Sequence, residues 1–170
     1  MVYDYDRLYG ETHDALGQPA SIFVDFFDRL DRHDLRVLDV GCGQGRDAIF
    51  IARKGHHVVG VDISPNGIRD LKAVATNENL PIEGIVADLA TFEPKSEFDI
   101  ILIDRTLHML PLPTRLTVLK TMLDHVRQNG WVLIADEASN IQEFAAVHSS
   151  HLADWTTEVS RRGYLFLRRA

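Results

Sequence analysis

The chain has 170 residues, with 18 Lys+Arg against 25 Asp+Glu and a formal net charge of −7. Its 45% hydrophobic and 25% charged content excludes a disordered or fibrous chain and predicts one globular domain over residues 1–170. The negative balance counts against nucleic-acid and polyanionic-membrane partners, which need a basic face, but leaves cationic small molecules open.

The elements follow from periodicity, and no internal repeat or linker interrupts them. Residues 1–19 read as irregular and rich in Tyr (Tyr3, Tyr5, Tyr9). Ile22, Phe23, Phe26, Phe27 and Leu30 mark one face of a helix between Ala20 and Asp31. Arg36–Val40 is a short apolar run ending in glycines, hence a buried strand. Arg46–Lys54 reads as a helix stopped by Gly55. His57–Val61 is a second strand and Pro65–Ala75 a helix. Ile82–Ala87 is a third strand, and Phe98–Ile103 the most apolar strand of the chain. Leu116, Leu119, Met122, Leu123 and Val126 form the stripe of a helix over Leu112–Arg127, which Asn129-Gly130 is expected to end. Trp131–Ala135 is a fifth strand and Asn140–Leu152 a helix. Trp155–Ser160 and Tyr164–Arg169 flank Arg161-Arg162-Gly163 as a hairpin. Alternating strands and helices imply a parallel sheet covered on both faces, closed here by an antiparallel hairpin.

Only one cysteine is present, Cys42, so neither an intrachain disulfide nor a Cys-rich zinc site is expected. No apolar run approaches the roughly 18–20 residues of a membrane span. The polar, acidic N-terminus does not read as a secretory signal, and a cytoplasmic protein is expected.

Open parallel sheets bind ligands beyond the carboxyl ends of their strands. The first strand runs into Asp39-Val40-Gly41-Cys42-Gly43-Gln44-Gly45-Arg46. Glycines there let the backbone turn tightly and lie against a ligand. Asp62 closes the second strand 21 residues after Gly41, where a carboxylate can accept from both ribose hydroxyls. Asp88 follows the third strand. The loop spacing is G-x-G-x-G, not the G-x-G-x-x-G of dinucleotide enzymes.

At these residues the chain resembles the class I S-adenosylmethionine-dependent methyltransferases, from about Arg36 to Ala138. VLDVGCGQG, VVGVDIS, VADL, FDIILID and GWVLIADE carry the likeness. It implies an α/β fold: a single doubly wound, mostly parallel sheet with helices on both faces and a C-terminal antiparallel hairpin, the Rossmann-like methyltransferase fold. It also implies S-adenosylmethionine as cofactor and S-adenosylhomocysteine as product. Gly41, Gly43 and Gly45 would wrap the methionine end, with Cys42 and Arg46 in the same segment. Asp39 would orient the loop and help hold the amino group. Asp62 would bind the ribose, Ile63 would pack on the adenine, and Asp88 and the Leu89 N–H would bond its edge. Asp104 and Arg105, ending the fourth strand, would line the methionine and the reaction centre. The stretch GCGQGRDAIFIARKGHHVVGVDIS further resembles the small methyltransferases related to tellurite resistance and thiopurine methylation.

A sulfonium methyl group is already electrophilic, so the enzyme must chiefly position a nucleophile and exclude water. The acceptor is expected to be small: a thiol, a chalcogen oxyanion, or an oxygen or nitrogen nucleophile. His108 is the best-placed base or orienter and, with Arg105, the candidate catalytic pair. Arg105 suits an anionic acceptor or the cofactor carboxylate. Asp136 and Glu137 follow the fifth strand, a place where acids commonly cap a helix or face solvent. Tyr3, Tyr5 and Tyr9 suit a lid over the pocket. Cys42 reads as a small residue in a tight space, because no basic partner is evident. His56-His57 reads as a strand junction, and no spacing suggests a metal site. The Arg161-Arg162 and Arg168-Arg169 pairs read as a solvated edge that discourages strand pairing. The fourth-strand segment lacks the Asn/Asp-Pro-Pro-Tyr/Phe pattern of nucleic-acid amino methylation. So brief a chain favours a small or exposed acceptor, or a pocket completed by a second subunit in a homodimer. Two other readings stand beside this one: a cofactor-binding module without transfer, and a nicotinamide oxidoreductase. The glycine spacing and Asp88 count against the latter.

Overall fold

A computed structural model describes residues 4–170, and Tyr3 lies outside the described residues. The chain forms two compact units, residues 1–88 and 89–170.

The first unit contains helices α1 (Tyr5–Glu11), α2 (Ser21–Asp28), α3 (Arg46–Arg53) and α4 (Pro65–Asn77), with strands β1 (Arg36–Val40), β2 (His57–Asp62) and β3 (Ile82–Val86). The strands run in the order β3-β2-β1, all parallel, with Leu38 opposite Val59 and Val59 opposite Glu83. Val37, Leu38, Val40, Val58, Val59 and Val61 are buried, the near-continuous apolar run of strands covered on both faces. Ala48, Ile51 and Ala52 of α3 and Ile68, Leu71 and Ala75 of α4 supply the buried helical stripes. Ser64 caps α4 by accepting the Gly67 N–H at 2.9 Å, and Pro65 opens the helix where no N–H is needed.

The irregular N-terminus expected from the sequence is corrected by α1. Asp4 caps this short helix through the Arg7 N–H at 3.0 Å. Seven residues that include Gly10 are too few to hold a helix alone. Contacts with α4, described below, supply the rest.

The second unit contains β4 (Phe98–Asp104), a 3-10 turn (Leu107–Met109), α5 (Leu112–Asp124), β5 (Val126–Ala135), α6 (Ala138–Ser149), β6 (Trp155–Arg161) and β7 (Tyr164–Arg169). β4 and β5 are parallel, and β7 joins β5 antiparallel with β6 outside it. The hairpin expected at the C-terminus is therefore present. Ile100–Ile103, Val132–Ile134 and Leu165–Leu167 form its core. Arg162, at a φ of 29°, sits in the hairpin turn, while Arg168 stacks its guanidinium 5.6 Å from the Trp131 ring centre.

One boundary differs in kind. The sequence suggests that Asn129-Gly130 ends the preceding helix, but α5 stops at Asp124 and both residues lie within β5. Phe98 donates its N–H to the His125 carbonyl at 2.8 Å, and Phe98 pairs with Val126 while Ile100 pairs with Trp131. Residues 127–130 bulge between those pairs. Asn129 takes a φ of 63°, and a Cβ on Gly130 would stand 2.8 Å from the Arg127 and Asp99 carbonyl oxygens. The pair is a bulge signal here.

Candidate functional site

The first unit gathers its polar groups at the carboxyl ends of β1 and β2. Gly41, Gly43 and Gly45 lie at φ of 76°, 54° and 90°, backbone that side chains rarely adopt. The Gly41 and Cys42 N–H groups donate to the Val61 carbonyl at 2.8 and 3.0 Å. The loop is thereby folded back on the end of β2. Asp62 accepts from the Gly43 N–H at 2.8 Å through Oδ2 and from the Ser64 N–H at 2.8 Å through Oδ1. The Ile63 N–H also acts on this carboxylate. Burial pushes the Asp62 carboxyl above the ordinary carboxylate range, and these backbone N–H groups partly oppose the shift.

Ile63, directly after Asp62, is 66% exposed, and Val86, opposite Asp62 in the sheet, is 51% exposed. Two large apolar side chains thus meet solvent beside a carboxylate at neighbouring strand ends. Asp88 is exposed and Leu89 buried. Asp39 is buried within β1. Burial, then the Asp39 and Asp62 charges, hold the Cys42 thiol well above its usual range, which agrees with its reading as an inert space-filler.

The N-terminal segment is fastened to this loop. Asp6 of α1 accepts from the Ser64 hydroxyl at 2.6 Å and from the Asn66 N–H and side-chain amide, each at 3.0 Å. The Ser64 hydroxyl and then the Asn66 N–H hold the Asp6 carboxyl below its usual range. Gln44 donates to the Thr12 carbonyl and to Asp70, each at 2.8 Å, and accepts from the Ala15 N–H at 3.0 Å. Arg46 pairs with Asp47 at 2.7 Å and reaches the Leu16 carbonyl at 3.5 Å. Tyr9 is buried, 4% exposed, and a Cβ on Gly43 would lie 2.6 Å from its phenol oxygen. Burial, and next the Asp62 charge, push that phenol above its ordinary range. The Tyr5 and Tyr9 rings lie 5.9 Å apart.

The second unit places its candidates where β4 and β5 end. Asp104, half-buried, ends β4. Arg105 is exposed at a φ of 52°, and its N–H donates to the Ala135 carbonyl at 2.7 Å. Thr106 turns the chain, its hydroxyl donating to the Asp104 carbonyl at 3.1 Å. His108 follows in the 3-10 turn. Arg115 of α5 secures that turn by donating to the His108 carbonyl at 3.0 Å and to the Leu110 carbonyl at 2.8 Å. Asp136 at the end of β5 is buried. It accepts from the Glu137 N–H at 2.8 Å and the Asn140 amide at 2.7 Å through Oδ1, and from the His108 N–H at 3.1 Å through Oδ2. An acid after a strand reads from sequence as solvated or capping, but Asp136 is buried and α6 has Glu137 as its N-cap with no side-chain cap bond.

Asp6, Gln44 and Asn66 anchor the N-terminal segment without any motif in the sequence to mark them. Their partners lie far along the chain, so no local spacing marks them. Asn140, four residues after Asp136, carries the one local signal: an amide in the first turn of α6 close in sequence to an acid just before it.

A model of the methyltransferase domain family matches residues 37–130. The chain belongs to that family. Phosphoethanolamine N-methyltransferase 1 of Zea mays is 30% identical over 164 residues, covering 94% of this chain and 30% of the maize protein. The probable S-adenosyl-L-methionine-dependent methyltransferase TehB of Haemophilus influenzae is 29% identical over 99 residues, 58% of this chain and 35% of TehB. The crystal structure of TehB from Haemophilus influenzae superposes with a TM-score of 0.73 at 18% identity, covering 98% of this chain and 66% of that one. That likeness shows the fold, the Rossmann-like methyltransferase fold. This methyltransferase domain spans about a third of the length of the curated relatives it matches. Among the described residues, no helix is long and apolar enough to cross a membrane.

Proposed function

We propose that this methyltransferase domain, with residues 1–170 acting as one functional unit, transfers a methyl group from S-adenosylmethionine to a small-molecule nucleophile. The observation that carries the reading is Asp62: a carboxylate at the end of β2 braced by the Gly43 and Ser64 N–H groups, with the exposed Ile63 beside it. The donor set fits the cofactor. Two ribose hydroxyls need a paired acceptor, and an adenine ring needs an apolar surface such as Ile63 and Val86.

S-adenosylmethionine supplies a methyl group on a sulfonium, already activated toward an in-line nucleophile. Asp62 binds the ribose hydroxyls. Asp88 and the Leu89 N–H bond the adenine edge. Gly41, Gly43 and Gly45, with Asp39, Cys42 and Arg46 in the same segment, shape the methionine end. Tyr9 and the α1 segment exclude water from that loop. Asp104 and Arg105 serve the methionine and the acceptor, the guanidinium facing an anionic group. His108 takes the proton from an acceptor that must lose one.

The test is an S-adenosylhomocysteine-release assay against thiols, selenite, tellurite, halides, small phenols and small amines, with phosphoethanolamine included. Release with one acceptor class supports the reading. Cofactor binding without release across the whole panel overturns transfer in favour of a binding module.

A further inference from the structure

One buried carboxylate, that of Asp136, links the end of β5 to the turn after β4. The Asp136 side chain is 0% exposed and that of His108 is 28% exposed. Asp136 Oδ1 is saturated by the Glu137 N–H and the Asn140 amide. Oδ2 accepts the His108 N–H at 3.1 Å and lies 3.7 Å from His108 Nδ1. That Nδ1 is itself buried and has no hydrogen-bond partner. The ring therefore turns a buried nitrogen toward a buried carboxylate. Catalytic hydrogen bonds often stand a few tenths of an ångström long without substrate and tighten when it binds.

We infer that Asp136 is a positioning residue: it holds the proton of neutral His108 on Nδ1 and leaves the Nε2 lone pair as the group that accepts a proton. This rests on the methyl-transfer reading above for its purpose, but not for its geometry. A carboxylate can only accept, so the hydrogen bond formed when that 3.7 Å gap closes has Nδ1 as its donor. The other nitrogen of that tautomer is then the basic one. Three attachments keep the carboxylate from rotating away: the Glu137 N–H, the Asn140 amide and the His108 N–H. Arg115, holding the His108 carbonyl, keeps the turn itself in place. Asp136, its side chain fully buried, acts through the imidazole.

The experiment is nitrogen-15 spectroscopy of histidine-labelled full chain above about pH 8, where a free imidazole is neutral. The His108 signal is identified by its loss in His108→Gln. The expected result is the Nδ1–H tautomer in the unmodified chain and its loss in Asp136→Asn, where the carbonyl oxygen stays with the Glu137 and Asn140 donors and the NH2 replaces Oδ2 opposite the ring. With a proton-bearing acceptor, kcat of Asp136→Asn falls about 10- to 100-fold, while KM for S-adenosylmethionine is unchanged. An Nε2–H tautomer in the unmodified chain overturns the inference without needing any Asp136 variant to fold. So does an unaltered tautomer in a folded Asp136→Asn. The spectra decide the Asp136–His108 relationship whichever acceptor is found; turnover decides the methyl-transfer reading.

Discussion

The Gly43 N–H donates to the Asp62 carboxylate at 2.8 Å, so the glycine loop after β1 and the acid that ends β2 form one rigid corner. Removing that acid undoes both halves. Asp62→Ala is expected to weaken S-adenosylmethionine binding by about 1–2 kcal/mol, through lost hydrogen bonds to a charged acceptor. Calorimetry checks this, and an unchanged dissociation constant refutes the ribose assignment.

The same carboxylate gives two pH dependences of opposite sign. Its pKa in the folded chain is raised above the ordinary Asp value of 3.8, chiefly by burial. The folded state therefore holds the proton more tightly than the unfolded one. Its contribution to folding stability is favourable at low pH and is lost as pH rises from 3.8 through the raised value. Cofactor binding runs the other way, because only the ionised carboxylate accepts both hydroxyls. Affinity is expected to decline as pH falls from about 7 toward 4, and to lose most of that slope in Asp62→Asn. Titrations across that range, compared between the two proteins, provide the measurement.

Gly43 meets Tyr9 at a distance that leaves no room for a methyl group. Gly43→Ala is expected to destabilise the fold by about 1–3 kcal/mol, through its positive φ and the collision with the phenol. In a Tyr9→Ala background the steric part disappears and the backbone part stays, so the cost shrinks without vanishing. Denaturant unfolding of the four proteins in the cycle measures both parts.

Arg105 lies at a φ of 52°, which a glycine adopts at less cost. Arg105→Gly is expected to be neutral or to stabilise the chain by up to about 1 kcal/mol. If the guanidinium meets an anionic acceptor, the same variant raises KM for that acceptor. A melting temperature that holds or rises together with a weaker KM separates the two effects. A sharp fall in melting temperature refutes the assignment of strain to this position.

The sheet was legible because its strands carry apolar runs at both faces. Arg36–Val40, read from five residues before the glycine loop, is the observed β1 residue for residue. Helices α3 and α4 began where Arg46 and Pro65 announced them, and their ends moved by only a residue or two, as fraying ends do. What escaped was stabilised from a distance. α1 depends on Asp6 meeting Ser64 and Asn66, and no window of the sequence contains both partners. Asn129-Gly130 sends the same signal in a helix stop and in a bulge. Only the pairing of Phe98 with Val126 chooses between them. At the candidate site, the loop glycines and Asp62 announced themselves by spacing. The burial of Asp136 did not, because an acid after a strand reads alike whether it faces water or an imidazole.

Ser64 has a consequence of its own. Its hydroxyl donates to Asp6, that oxygen accepts from Gly67, and its backbone N–H donates to Asp62. One residue thus serves as the anchor of α1, the cap of α4 and a brace for the carboxylate. Order in the N-terminal segment and order in that carboxylate therefore share a single hinge pin. By thermodynamic reciprocity, a ligand that steadies Asp62 tightens α1 by the same factor that a docked α1 tightens the ligand. Helix α1 is in that sense a partner in binding at the end of β2.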